Sequence, residues 1–122
     1  MKNVVLKIIV WRLLLFLPIF FAILWLPLQR NFLGGGMANY NLNPYFWSFA
    51  NFDGEHYLSL AREGYRPFEY FFFPLYPLLI RFFATTFSYQ LASFVFSGLL
   101  LSLVFFVTAI VGLSKLLEID YS

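Results

Sequence analysis

The residues best suited to chemistry lie in one short stretch near the middle of the chain, beginning with Asp53. This residue directly follows an aromatic-rich segment and precedes a predicted short helix over residues 54–63. A carboxylate in this position could accept the proton of a hydroxyl group as that hydroxyl attacks a bound donor. Asp53 could instead act only as the N-cap of the helix, a role worth about 1 kcal/mol. The residues alone leave both roles open.

Nearby aromatic and basic side chains could bind a substrate. On a helix that starts at Asp53, Tyr57 lies one turn further along the same face. Guanidinium groups suit phosphate oxygens, so Arg62, Arg66 or Arg81 could stabilise a departing phosphate. Arg81 could equally anchor the end of a helix at the level of lipid headgroups. The spacing does not decide which arginine contacts phosphate.

Composition argues against several other kinds of site. The chain contains one His and no Cys, so we expect no transition-metal site, disulfide or cysteine nucleophile. A hard divalent cation could be held by Asp53, Glu55 and a lipid phosphate, but no cofactor is predicted. The basic residues are scattered and the net charge is only +2, so nucleic-acid binding is not expected.

The elements that must position these residues are strongly apolar. Hydrophobic residues make up 61% of the chain and charged residues only 11%, whereas soluble proteins carry about 25% charged residues. The run from Leu91 to Leu113 is long enough to cross a bilayer as a helix. The run from Leu13 to Leu28 reaches the same length, about 21 residues, if Ile8 is included and Arg12 extends toward the lipid headgroups. The sequence therefore predicts an all-α integral membrane protein in which two transmembrane helices flank an external loop with short interfacial helices.

Flanking charges predict the orientation of these two helices. Lys2, Lys7 and Arg12 precede the first run, and Lys115 follows the second. By the positive-inside rule, both termini are expected in the cytoplasm. The competing interpretation is a cleaved signal peptide over residues 1–38, but its apolar core ends about ten residues too early.

The predicted division of the chain follows from this orientation. Residues 1–28 form a cytoplasmic tip and the first transmembrane helix, residues 29–90 the external loop, and residues 91–122 the second transmembrane helix and a cytoplasmic tail. A second loop helix is predicted over about 77–87, either interfacial or re-entrant. Because proline disfavours helical geometry in the residue before it, Phe73 and Tyr76 are expected to be extended or turned.

Two sequence blocks resemble the PIG-V-type mannosyltransferase family of the GT-C superfamily. The first is Asn51-Phe-Asp-Gly-Glu-His-Tyr-Leu-Ser-Leu-Ala-Arg-Glu-Gly-Tyr65, and the second is Phe72-Phe-Pro-Leu-Tyr-Pro-Leu-Leu-Ile-Arg81. The resemblance implies transfer of mannose or a related hexose, with inversion, from a polyprenyl- or dolichyl-phosphate carrier to an external acceptor. It makes Asp53 the catalytic base. The positions that match the family pattern are Tyr57, Gly64, Tyr65, Pro74, Tyr76 and Pro77.

The chain also departs from the family pattern in ways that change what we expect of it. Phe52 stands where tryptophan is commoner, and family members run to several hundred residues with many spans. We therefore expect this chain to be an N-terminal portion, inactive alone, that relies on the remaining helices of a full-length protein or on a partner subunit. The expected substrate-binding residues are Tyr57, Arg62, Tyr65, Tyr76 and Arg81.

An alternative hypothesis is a small non-enzymatic membrane subunit. Its aromatic loop would dock a partner or lipid, and small residues of the second span would pair with another helix. Ser97 and Gly98 belong to this set, in which several members recur every four residues, a spacing that allows close helix approach in lipid.

Overall fold

The computed structural model describes residues 2–26 and 41–120, and every regular element within these two ranges is helical. This confirms the all-helical prediction at a coarse level. The helices are α1 (Lys2–Leu14), α2 (Phe16–Trp25), α3 (Pro44–Trp47), the 3₁₀ helix η1 (Ser48–Ala50), α4 (Asp53–Glu63), α5 (Leu75–Phe87) and α6 (Leu91–Asp120).

Helices α1 and α2 form one apolar rod with a break at Leu15. Pro18 has no N–H to offer the carbonyl of Leu14, so the regular hydrogen-bond ladder is interrupted there. The preceding turn is kept, because the N–H of Leu15 donates to the carbonyl of Trp11 at 3.1 Å. The segments Val4–Trp25 and Leu91–Ile119 are both long and apolar enough to cross a membrane. The second of these extends beyond the predicted end of its apolar run at 113.

A signal sequence near the N-terminus would have the same length and apolar character as Val4–Trp25. The Gly36-Met37-Ala38 triplet, which would be its cleavage site, lies outside the described residues.

Helix α4 begins at Asp53, one residue before the predicted start. The N-cap residue is Phe52, with φ 53°, and no side chain caps the helix. The N–H groups of Gly54 and Glu55 donate to the carbonyls of Asn51 and Phe52, each at 3.0 Å. The prediction that Asp53 is the N-cap is therefore wrong, because the backbone turns one residue earlier and places Asp53 in the first helical turn.

Helix α5 begins two residues before the predicted start at 77. Tyr76 is helical, so the expectation that it would be extended is wrong. Pro74 is the N-cap residue, which places Pro77 in the first turn. There a missing N–H removes no intrahelical hydrogen bond, since the first N–H groups of a helix have no acceptor.

Helices α4 and α5 pack against the first half of α6 and form the core. Phe94, Ile80 and Ala84 are among its fully buried side chains. Gly98 allows α5 to approach α6 closely, because a Cβ atom there would lie 3.3 Å from Cδ1 of Ile80 and 3.4 Å from the Tyr76 hydroxyl. Gly98 thus serves packing within the chain itself.

The second half of α6 contacts α1. Ile8 is buried, and the ring of Trp11 stacks on that of Phe106 with centroids 5.9 Å apart. At its other end, the α1–α2 rod reaches the loop helices, since the rings of Phe16 and Phe49 lie 5.2 Å apart. The rod therefore joins the far end of α6 to the segment that precedes Asp53.

Candidate functional site

A cleft of about 300 Å³ opens beside the N-terminus of α4. One wall is formed by η1 and the first turns of α4, and the opposite side by α5 and the first half of α6. The lining includes polar groups and aromatic rings, with six members that can contact a ligand: Phe49, Asn51, Asp53, Tyr57, Tyr76 and Ser102.

Asp53 is the acidic residue of this cleft. Its side chain is exposed, and its carboxylate forms no hydrogen bond or ion pair with any of the residues the structure describes. Its place in the first turn of α4 lets the helix dipole stabilise the negative charge. The carboxylate oxygens are thus available to accept a proton from a ligand in the cleft.

Tyr57 and Tyr76 form the aromatic part of the cleft. Their rings meet edge to face, with centroids 5.0 Å apart and an interplanar angle of 86°. The ring of Tyr57 also contacts that of Phe72 at 5.0 Å. Tyr57 lies on the same side of α4 as Asp53, as the four-residue spacing predicts, and both line the cleft.

The hydroxyl of Tyr76 is held by α6. It donates to the carbonyl of Gly98 at 2.9 Å and lies 2.7 Å from Oγ of Ser102. Because its proton is used on the carbonyl, the Ser102 hydroxyl supplies the proton of the second bond. These two bonds fix the orientation of the Tyr76 ring. They also place the hydroxyls of Tyr76 and Ser102 at the floor of the cleft, next to the aromatic rings.

Arg62 lies outside the cleft. Its Cζ atom is 6.0 Å from the centre of the Phe94 ring, and its Nε atom is buried without a hydrogen-bond partner. The backbone carbonyl of Arg62 accepts a hydrogen bond from the Tyr89 hydroxyl at 2.9 Å. Packing against the start of α6 therefore occupies this side chain.

Tyr65 and Arg81 also lie away from the cleft. The Tyr65 hydroxyl donates to the carbonyl of Phe72 at 2.6 Å, and its ring stacks on that of Tyr70. Arg81 is exposed, whereas its neighbour Ile80 faces the core. Of the predicted site residues, the structure brings together Asp53, Tyr57 and Tyr76 and separates the other three from them.

A second polar cluster fastens the loop after α4. The carboxylate of Glu69 accepts a hydrogen bond from the N–H of Arg66 at 3.1 Å and lies 3.4 Å from Nδ1 of His56. The ring of His56 stacks on that of Phe72, and the guanidinium of Arg66 pairs with Glu63. These contacts hold the loop against α4.

Within residues 2–26 and 41–120, no three histidine, aspartate or glutamate side chains converge as a metal site would require. The divalent cation that Asp53 and Glu55 could hold stays a hypothesis.

Arg12 is the residue whose position the sequence reasoning missed. Its Cζ atom lies 4.4 Å from the centre of the Phe106 ring and 5.9 Å from that of Trp11, and its Nε atom is buried without a partner. A charge inside a membrane span costs about 2.5–3.5 kcal/mol, and a cation–π contact returns about 0.5–2 kcal/mol. The side chain packs on Trp11 and Phe106, and its reach toward the headgroups stays a prediction.

Arg12 interrupts an otherwise apolar stretch from Ile8 to Leu28 in the sequence. That placement was the available signal for an unusual role. No protein-family model matches the chain, and neither a curated protein nor a solved structure is detectably similar to it. The relation to PIG-V-type enzymes therefore stays a prediction based on the two sequence blocks.

Proposed function

We propose that this chain is part of a membrane glycosyltransferase that moves mannose or a related hexose from a polyprenyl- or dolichyl-phosphate carrier to an external acceptor. The observation that carries the proposal is the exposed carboxylate of Asp53, which has no partner among the described residues and lies in a cleft with Tyr57 and Tyr76. The resemblance of residues 51–65 and 72–81 to the PIG-V-type family supports the same assignment.

Membrane insertion is part of this proposal. The α1–α2 rod and α6 cross the bilayer, both termini are cytoplasmic, and the loop helices with the cleft lie on the external or lumenal side. Support comes from the apolar side chains of the rod, most of which are exposed. Exposed aliphatic and aromatic groups on this scale favour contact with lipid.

In the proposed reaction, Asp53 removes the proton from an acceptor hydroxyl as its oxygen attacks the anomeric carbon of the carrier-bound hexose. The new glycosidic bond forms as the bond from the anomeric carbon to the phosphate oxygen breaks. The phosphate leaves with that electron pair, and the anomeric configuration inverts. The proton on Asp53 is later lost to water.

The two tyrosines position the sugar in this scheme. Their aromatic faces suit the C–H surface of a hexose, and the floor beneath them offers the hydroxyls of Tyr76 and Ser102. Both hydroxyls are held in place before a ligand arrives, which lowers the entropy lost on binding. The proposal assigns Arg62, Tyr65 and Arg81 no contact with the sugar.

The test is a transfer assay on membranes from cells that express the complete reading frame containing this chain. Radiolabelled mannosyl and glucosyl polyprenyl phosphates serve as donors, and product is counted after phase separation. Asp53→Asn keeps the shape of the side chain but removes the base, so we expect transfer to fall by about 10²–10⁴-fold.

Glu63→Gln is the matched control for this assay. Glu63 is another carboxylate on α4, but it is exposed and pairs with Arg66 outside the cleft. Transfer should stay near the wild-type rate in this variant. Wild-type transfer by Asp53→Asn, at equal expression and membrane insertion, would refute the proposal.

The non-enzymatic alternative combines an aromatic loop that docks a partner or lipid with Ser97 and Gly98 as a face for another helix. In the structure both residues are buried, and Gly98 lies against Ile80 and Tyr76 of α5. This part of α6 is therefore already covered by the chain itself. No contact among the described residues favours the alternative over the enzyme.

A further inference from the structure

Two helix faces lead from the cleft toward Arg12. On α6, Ser102 lines the cleft, and Phe106 lies one turn further along the same face. On the α1–α2 rod, Phe16 contacts Phe49 of the cleft wall, and Arg12 precedes Phe16 by four residues, across the break at Leu15. The guanidinium of Arg12 packs over the ring of Phe106 and so links the two helices at this level.

The charge of Arg12 has no anionic partner among the described residues. Aromatic rings contact the guanidinium, and its Nε atom is buried without a hydrogen bond. A guanidinium carries five N–H donors in a planar fork that matches the oxygens of a phosphate. Arg12 is partly buried, and a cation that is partly buried among aromatic rings is stabilised by an anion that reaches it. The site therefore has the chemistry of a phosphate contact.

Other described arginines are placed differently. Arg62 packs on Phe94, Arg66 pairs with Glu63, and Arg81 is exposed outside the cleft. None of these three arginines lies between α6 and the α1–α2 rod next to the cleft. Arg12 alone among these four arginines combines that position with the absence of a carboxylate partner.

The order of groups in a lipid-linked sugar matches this arrangement. In a hexosyl polyprenyl phosphate, the phosphate lies between the sugar and the apolar tail. With the sugar beside Asp53, the phosphate falls toward Ser102 and Phe106, and the tail continues along apolar helices. We propose that Arg12 binds the phosphate of the polyprenyl phosphate carrier. This inference rests on the proposed function, because it identifies the cation that contacts the sugar donor of that reaction.

The test is direct binding of a sugar-free polyprenyl phosphate to the chain in phosphatidylcholine nanodiscs. Charge-assisted hydrogen bonds of this kind are strong, so we expect Arg12→Gln to raise the Kd by about 10- to 100-fold. Arg12→Lys should recover part of the affinity, because it keeps the charge but loses the planar fork. Unchanged affinity in Arg12→Gln would overturn the inference.

Lys7→Gln is the matched control. Lys7 is a second cation on α1, but its side chain is exposed, so its removal should leave the Kd within about twofold of wild type, as expected for a surface charge. Competition separates possible phosphate sources. Unlabelled polyprenyl phosphate should displace the probe, and equal displacement by inorganic phosphate or phosphatidic acid would contradict a carrier-specific site.

Photo-crosslinking of the wild-type chain tests the inference even if the Arg12 variants fail to fold. A polyprenyl phosphate with a photoreactive group beside the phosphate is irradiated in the nanodisc, and labelled peptides are mapped. Adducts near Arg12, Phe16, Ser102 or Phe106 are expected. Adducts confined to the neighbourhood of Arg62 or Arg81 would assign the phosphate to another arginine and refute the inference.

The binding assay and the transfer assay fail independently. Binding uses a carrier without sugar, so it does not depend on Asp53. If Arg12→Gln loses binding while Asp53→Asn transfers normally, the phosphate site stands and the proposed function fails. If Asp53→Asn is inactive while Arg12→Gln binds normally, the proposed function stands and the role of Arg12 is wrong.

Discussion

The parts of α6 before and after Ser102 are both rich in apolar residues but have different surroundings. Before Ser102, Phe94 is 0% exposed and Val95 is 2% exposed, because α4 and α5 cover this side of the helix. Beyond Ser102, Val104 is 50% exposed and Phe105 is 47% exposed. One helix therefore provides a packed wall for the cleft and, further along, a surface suited to lipid.

The difference comes from what the small and aromatic residues of α6 meet. Gly98 allows α5 to approach until Ile80 and the Tyr76 hydroxyl are in contact with its backbone. Beyond Ser102, the rings of Trp11 and Phe106 separate α6 from α1 by a stacked pair. Close backbone packing supports the cleft, whereas α1 and α6 meet through aromatic rings that contact Arg12.

The largest loss of stability should come from removing a buried ring in the part of α6 that α4 and α5 cover. Phe94→Ala creates a cavity between α6 and its neighbours, and such truncations cost about 3–5 kcal/mol. Unfolding in mixed detergent micelles, followed by circular dichroism, measures the loss. Phe105→Ala is the matched control and should cost much less because its ring is half exposed. Equal losses in both variants would break the distinction between the two parts.

A smaller loss of stability is expected when a larger side chain is placed between α5 and α6, where the two helices are in close contact. Gly98→Val forces the new side chain against Ile80 and Tyr76, and overpacking of this kind costs about 1–3 kcal/mol. Gly112→Val is the control, because nothing lies within 4 Å of a Cβ atom at that position. The same unfolding assay applies, and a Gly98→Val chain as stable as the control would show that α5 is not tightly seated.

Local sequence patterns were sufficient for some features of this fold. Apolar run lengths predicted two helices able to cross a membrane, and Gly64 does end α4, with a φ of 87° that favours glycine. The four-residue spacing placed Asp53 and Tyr57 on one face. Each of these rests on interactions between residues close in the chain.

Features that depend on distant contacts were not predictable in the same way. The helical state of Tyr76 reflects its hydroxyl bonds to α6, 22 and 26 residues away in the chain. The position of Arg62 reflects its packing on Phe94. The break that Arg12 makes in an apolar stretch was visible in the sequence, but its contact with Phe106, 94 residues away in the chain, was not.

The most direct test of the central claim is chemical rescue of Asp53→Ala in the transfer assay. This variant removes the carboxylate and leaves space beside Tyr57 in the cleft for a small acid. If Asp53 is the base, added formate should raise the rate of hexose transfer in proportion to its concentration, and added chloride at equal ionic strength should not. A rate that stays low at every formate concentration, or one equal to wild type without formate, would contradict the account.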